Sequence, residues 1–207
     1  MSTPGRNLHD ELASAAARLV IDEGLEYGAA KRKAARAAAP QRGASRRELP
    51  SNEAVEDAVR EQLALFHAET QPAELMELRR VALRWMERLA EFRPHLAGAV
   101  WRGTATRRSA VHLELFADDP KSPEIALINL GVDYDAGEGG SDRRGEPVSV
   151  LTLAERNAAL GEPVTLHLTV RDHDDLRGAL RPDAGQRTWR GDAPGLKRLL
   201  EAPPDHP

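Results

Sequence analysis

The sequence predicts an α+β fold, a helical N-terminal segment (residues 1–95) packed on a strand-rich C-terminal domain (residues 96–207). Two observations carry that expectation. Apolar residues recur every three or four positions as far as Pro94, and from Leu96 onward they alternate every second residue. Helices followed by strands, with one helix inserted among the strands, is the α+β pattern. The chain has 207 residues, enough for one full-sized domain or two small ones.

Taken in order, Leu8 to Glu23 carries Leu8, Leu12, Ala15, Ala16, Leu19 and Val20 on one helical stripe that stops at Gly24. Tyr27 to Ala39 reads as a second helix closed by Pro40, and the stretch 40–50 as a basic loop with proline at both ends. Ser51 or Asn52 can cap a third helix with the stripe Val55, Val59, Leu63 and Phe66. Pro72 suits a helix start and opens a fourth, with Leu75, Leu78, Ala82, Trp85, Leu89 and Phe92 on one face.

Beyond Leu96, the segments AGAVWRG, SAVHLELFAD, EPVSVLTLAE and EPVTLHLTVRD read as strands, with VDYDA a weaker one. SPEIALINLG is an inserted helix with Pro123 near its start and Gly131 at its end, and a last short helix falls around Leu196 to Leu200. DAGEGGSDRRG reads as a hairpin loop, and the acids of RDHDDLRG as caps of the turn after a strand.

Composition narrows the function classes. Aromatic residues are only 4%, so the core must rest on Leu, Val, Ile and Ala. A net charge of −4 excludes a wholly basic nucleic-acid coat. The absence of cysteine removes disulfides, thiolate zinc sites and cysteine nucleophiles together. No apolar run is long enough to span a bilayer, so no membrane partner is expected. The polar, acidic start does not read as a signal peptide, and a cytoplasmic location is expected. P-loop, nucleophile-elbow and zincin motifs do not occur.

One segment runs against the overall charge. Lys31, Arg32, Lys33, Arg36, Arg42, Arg46 and Arg47 face a single acid, Glu48, between Tyr27 and Pro50. Such clusters release counterions from a nucleic-acid backbone, which makes Lys31, Arg32, Lys33 and Arg36 candidate phosphate contacts. The same pattern also describes a solvated helix face.

The chemistry concentrates between Gly98 and Asp119. Alternation on the strand puts Ala110, His112, Glu114 and Phe116 on one side and Val111, Leu113 and Leu115 on the other. Imidazole and carboxylate two residues apart cannot be buried unpaired without a cost of several kcal/mol, so their side must face a cleft, water or partners.

Gly103-Thr104, a short polar turn, Ser109 and an alternating strand together resemble the signature of the nucleotidyltransferase superfamily, the polymerase-beta-like minimal palm. The resemblance spans Leu96 to Asp175. It implies a mixed β-sheet palm in which a Gly-Ser pair closes the first strand and holds a triphosphate. It also implies two acids at alternate positions of the next strand, and a third on a later strand, that bind divalent metal. Here Gly103 and Thr104 match the Gly-Ser pair and Ser109 the residue before the first acid. The acidic positions fall on Ala110 and His112, Glu114 is the only acid within the strand, and the later strand offers Thr165, His167 and Thr169.

Three functional readings stand at this point. The first is a nucleotidyltransferase-like protein whose cleft binds a nucleotide or phosphorylated ligand through Gly103, Thr104 and Ser109, with substituted carboxylates and impaired or absent catalysis. The second is a nucleic-acid-binding regulatory protein that uses the segment 31–47. The third is an active transferase in which His112 and Glu114 are catalytic and a divalent metal (Mg, Mn or Zn) is held by His112, Glu114 and His167; two imidazoles and a carboxylate suit a transition metal better than Mg²⁺. The first and third require His112 and His167 to look into one pocket beside the Gly103–Thr104 turn.

Overall fold

A computed structural model describes residues 8–38, 49–141, 145–181 and 188–202. Among these the protein is α+β, with seven α-helices and one six-stranded mixed sheet. It divides into two compact units, Met1–Gln71 and Pro72–Pro207.

The first unit contains α1 (Leu8–Glu23), α2 (Tyr27–Ala38) and α3 (Asn52–Phe66). Their small apolar stripes close on one another in a core of Ala13, Ala16, Ala17, Val20, Ala30, Ala34, Val55, Val59 and Leu63. Alanine on two of the helices suits close approach of their backbones, so little side-chain volume is needed. Ser51 is the N-cap of α3, its hydroxyl accepting the Ala54 N–H at 3.0 Å. Phe66, expected on the buried stripe, is 75% exposed, because α3 ends there and His67 turns the chain away. Most of the expected basic loop 40–50, with Arg42, Arg46 and Arg47, lies outside the described residues.

The second unit begins with α4 (Gln71–Arg88), so the division falls well before the expected boundary at 95/96. The physical reason lies in the stripe of α4. Leu75, Leu78, Ala82, Trp85 and Met86 share a single core with Leu113, Leu115, Leu151, Leu166 and Leu168 from the sheet. Polar contacts fix the same helix: the Trp85 indole N–H donates to Glu155 at 2.5 Å, and the Asn157 amide donates to Glu77 at 2.9 Å.

A 3-10 turn (Ala90–Phe92) leads into β1 (His95–Ala97), α5 (Gly98–Arg102), β2 (Val111–Ala117) and α6 (Ser122–Asn129). Then come β3 (Asp135–Ser141), β4 (Pro147–Glu155) and β5 (Val164–Asp172). A second 3-10 turn (His173–Leu176), β6 (Arg190–Gly191) and α7 (Ala193–Glu201) complete the unit. The strand order is β3-β4-β5-β2-β1-β6; β2 and β5 run parallel, and every other neighbouring pair is antiparallel.

Two segments differ from their expected form. AGAVWRG is not a strand: β1 ends at Ala97, and the chain turns at Gly98 (φ 70°) into the single helical turn of α5. Val100 is buried in the core, and the Arg79 guanidinium of α4 donates to the Val100 and Trp101 carbonyls at 3.2 and 3.4 Å. Tertiary contacts thus decide a segment whose local alternation favoured a strand. DAGEGGS, expected as loop, pairs with β4 as β3, an edge held by backbone hydrogen bonds that do not depend on side chains. The cap reading of RDHDDLRG holds: Asp172 accepts the Asp174 N–H at 2.9 Å.

Candidate functional site

The centre of the sheet presents two unlike faces. Val111, Leu113 and Leu115 of β2, with Leu166, Leu168 and Val170 of β5, point into the core. Their alternates form a polar face, because side chains on a strand switch sides at every residue.

Register then decides who meets whom. His112 of β2 stands directly beside His167 of β5, flanked by Ala97 on β1 and Thr152 on β4. The two imidazole centroids are 5.1 Å apart and the rings are tilted by 32°. Both are half-buried. The Thr152 hydroxyl lies 2.9 Å from His167 Nδ1 and fixes that ring's orientation. On the other side of the pair, a Cβ added at Gly98 would sit 3.4 Å from His112 Cδ2, so the β1–α5 turn is seated against the imidazole.

Two residues further along, on the same face, stand His95, Glu114 and Thr169. Glu114 is only 8% exposed. One of its carboxylate oxygens is 3.4 Å from Arg171 Nη2 on β5; the other accepts a short charge-assisted hydrogen bond from Arg190 on β6. His95 is buried, with Nδ1 at 2.9 Å from the Arg93 carbonyl and its ring edge-on to Phe116 at 5.1 Å. Burial pulls its pKa below the ordinary value of 6.5, against the upward influence of the Arg93 carbonyl, Asp192 and Glu114. His95 also lines a cavity of about 280 Å³ with Met86, Arg93, Leu176 and Asp192.

The expected site residues are therefore only partly brought together. His112 and His167 meet. Glu114 shares their face but is held by two guanidiniums, and among the described residues no group of three or more His, Asp or Glu side chains is arranged to hold a metal ion. Gly103 and Thr104 lie elsewhere. Gly103 closes α5 rather than a strand, and a Cβ there would face Arg79 and Leu75 of α4. Both backbone N–H groups of the pair already donate to the Ala99 carbonyl, and Thr104 is buried. Ser109 closes a local turn with Thr106, accepting its N–H at 3.0 Å. The residue that follows the first strand and turns the chain beside the imidazoles is Gly98.

Of the candidate nucleic-acid contacts on α2, Lys31 donates to Asn52 at 2.7 Å, and burial lowers its pKa, with help from Arg32. Lys33 pairs with Glu23 at 2.5 Å, while Arg32 and Arg36 are exposed.

Sequence reasoning missed Gly98, Thr152, Arg171 and Arg190. Arg171 was within reach, since it lies four residues beyond His167 on the same face of one strand. Arg190 belongs to a two-residue strand that no local pattern marks.

No family model, no curated protein and no solved structure matches the chain. No helix among the described residues is long and apolar enough to cross a membrane.

Proposed function

We propose that this protein binds a nucleotide or another phosphorylated ligand on the sheet face that carries His112 and His167, as a nucleotidyltransferase-like protein with impaired transfer chemistry. The observation that carries the reading is the imidazole pair, side by side on parallel strands and seated against the β1–α5 turn. An imidazole N–H donates to phosphate oxygens, and the guanidiniums of Arg171 and Arg190 stand on the same face beside Glu114.

The chain order supports the same reading. It shares with the resemblance the alternating strand that carries His112 and Glu114, while Gly103, Thr104 and Ser109, on which the resemblance also rests, belong to the end of α5 and the turn that follows it. Two-metal transfer needs several oxygen ligands converging from neighbouring strands. Ala110 supplies none, and recruiting Glu114 would mean breaking both of its ion pairs. Catalysis by His112 and Glu114 around a divalent metal is therefore the less supported form of the proposal.

The test is thermal unfolding of the full chain with each of ATP, GTP, CTP and UTP, in the presence of Mg²⁺ or Mn²⁺. Ligand at a hundred times its Kd stabilises by about 2.7 kcal/mol. At least one nucleotide should raise the Tm, and the rise should vanish in His112→Ala and His167→Ala. No shift with any of the four overturns the proposal.

A further inference from the structure

Glu114 is an unusual resident of this sheet face. A buried carboxylate between guanidiniums gains little net stability, because desolvation offsets most of the attraction. The partners come from two different strands. Arg171 lies on the adjacent β5, while Arg190 reaches past β1 from the sheet edge. The two guanidinium side chains are 27% and 31% exposed, against 11% for that of the carboxylate they hold.

Each guanidinium carries five N–H donors, in a fork that matches phosphate as well as carboxylate. Among the described residues Arg171 and Arg190 each direct one nitrogen at Glu114, and Arg171 does so at the loose distance of 3.4 Å. Two guanidiniums therefore hold one carboxylate, two residues along β2 from His112, with Asp192 as a further acid beside the neighbouring His95. That is an anion site partly filled from within.

We infer that Arg171 and Arg190 form the phosphate-binding pair of this face, with Glu114 as an internal anion that a diphosphate group displaces on binding. The inference rests on the phosphorylated-ligand reading given above and adds the side chains that hold the phosphate. Glu114 is on this view a restraint on affinity, neither a metal ligand nor a catalytic base.

The probe is inorganic pyrophosphate, titrated calorimetrically into the full chain at fixed ionic strength. Glu114→Gln should bind it about tenfold or more tightly than wild type, since neutralising the internal anion frees charge-assisted donors. Glu138→Gln, which removes an equal charge from the exposed edge strand, should not tighten binding. Arg171→Ala and Arg190→Ala should each weaken it about tenfold. These two variants keep the test open if Glu114→Gln does not fold. Pyrophosphate affinity unchanged or weakened in Glu114→Gln, or unchanged in both arginine variants, overturns the inference. ATP binding lost in His112→Ala but indifferent to all three substitutions overturns it while leaving the sheet-face reading intact. Absence of binding by both pyrophosphate and ATP overturns the two together.

Discussion

Replacing Gly98 by alanine probes the joint on which the candidate site depends. Gly98 has φ 70°, in the left-handed region where a Cβ crowds the backbone and costs roughly 1–2 kcal/mol. The new methyl would touch His112 Cδ2 at 3.4 Å and Cγ at 3.8 Å, ordinary contact that adds no severe clash. Backbone strain therefore dominates, and a loss of about 1–2 kcal/mol is expected. For a unit of this size that corresponds to a fall in Tm of about 3–8 °C. Thermal unfolding followed by circular dichroism reads it directly. Gly98→Asn should recover part of the loss, since asparagine tolerates the left-handed region better than alanine does. Gly137→Ala on β3 is the control, with nothing within 4 Å of the added Cβ, and should stay within about 0.5 kcal/mol of wild type. Gly98→Ala as stable as wild type, or no more destabilised than Gly137→Ala, would refute the left-handed turn beside His112.

Two further outcomes are expected. Burial lowers the folded-state pKa of His95 below 6.5, so the unfolded chain takes up this proton first; stability is full above about pH 6.5 and declines as the pH falls toward the folded value. Urea unfolding at about pH 7.5 and about pH 5 should show a smaller acid loss in His95→Gln than in wild type, and equal losses would remove His95 as the source. Ser51→Ala deletes the hydroxyl that accepts the Ala54 N–H, so the helical unit should lose about 1 kcal/mol, read as a lower midpoint of its denaturant transition.

Much of the architecture could be read from local pattern alone. The stripe Val55, Val59 and Leu63, the cap at Ser51 and the alternation of β2 and β5 each rest on neighbours a few residues apart, and each appears in the structure. The shared face of His112 and Glu114 followed from the same alternation. What escaped depends on distant partners. Nothing local states that β2 lies beside β5 in parallel, 55 residues along the chain, with His112 level with His167. The turn at Gly98 was hidden because AGAVWRG alternates like a strand, whereas buried Val100 and the Arg79 guanidinium hold it as helix. The glycine expected to close the first strand was consequently read as Gly103, whereas β1 ends at Ala97 and Gly103 closes α5. β3 was missed for a related reason, since a glycine-rich edge is recognised by its backbone ladder and carries little side-chain signal. The early domain division reflects the α4 stripe, which the sequence shows as apolar without showing which core it enters.

The most direct measurement is a titration of the full chain with the nucleotide that gives the largest thermal shift, followed through the imidazole ¹H–¹⁵N resonances of His112 and His167 by NMR. Both rings should move together along one saturable curve, and both responses should weaken in Arg190→Ala. Saturable nucleotide binding that leaves both imidazoles unmoved would put the ligand elsewhere on the protein and contradict the proposed site.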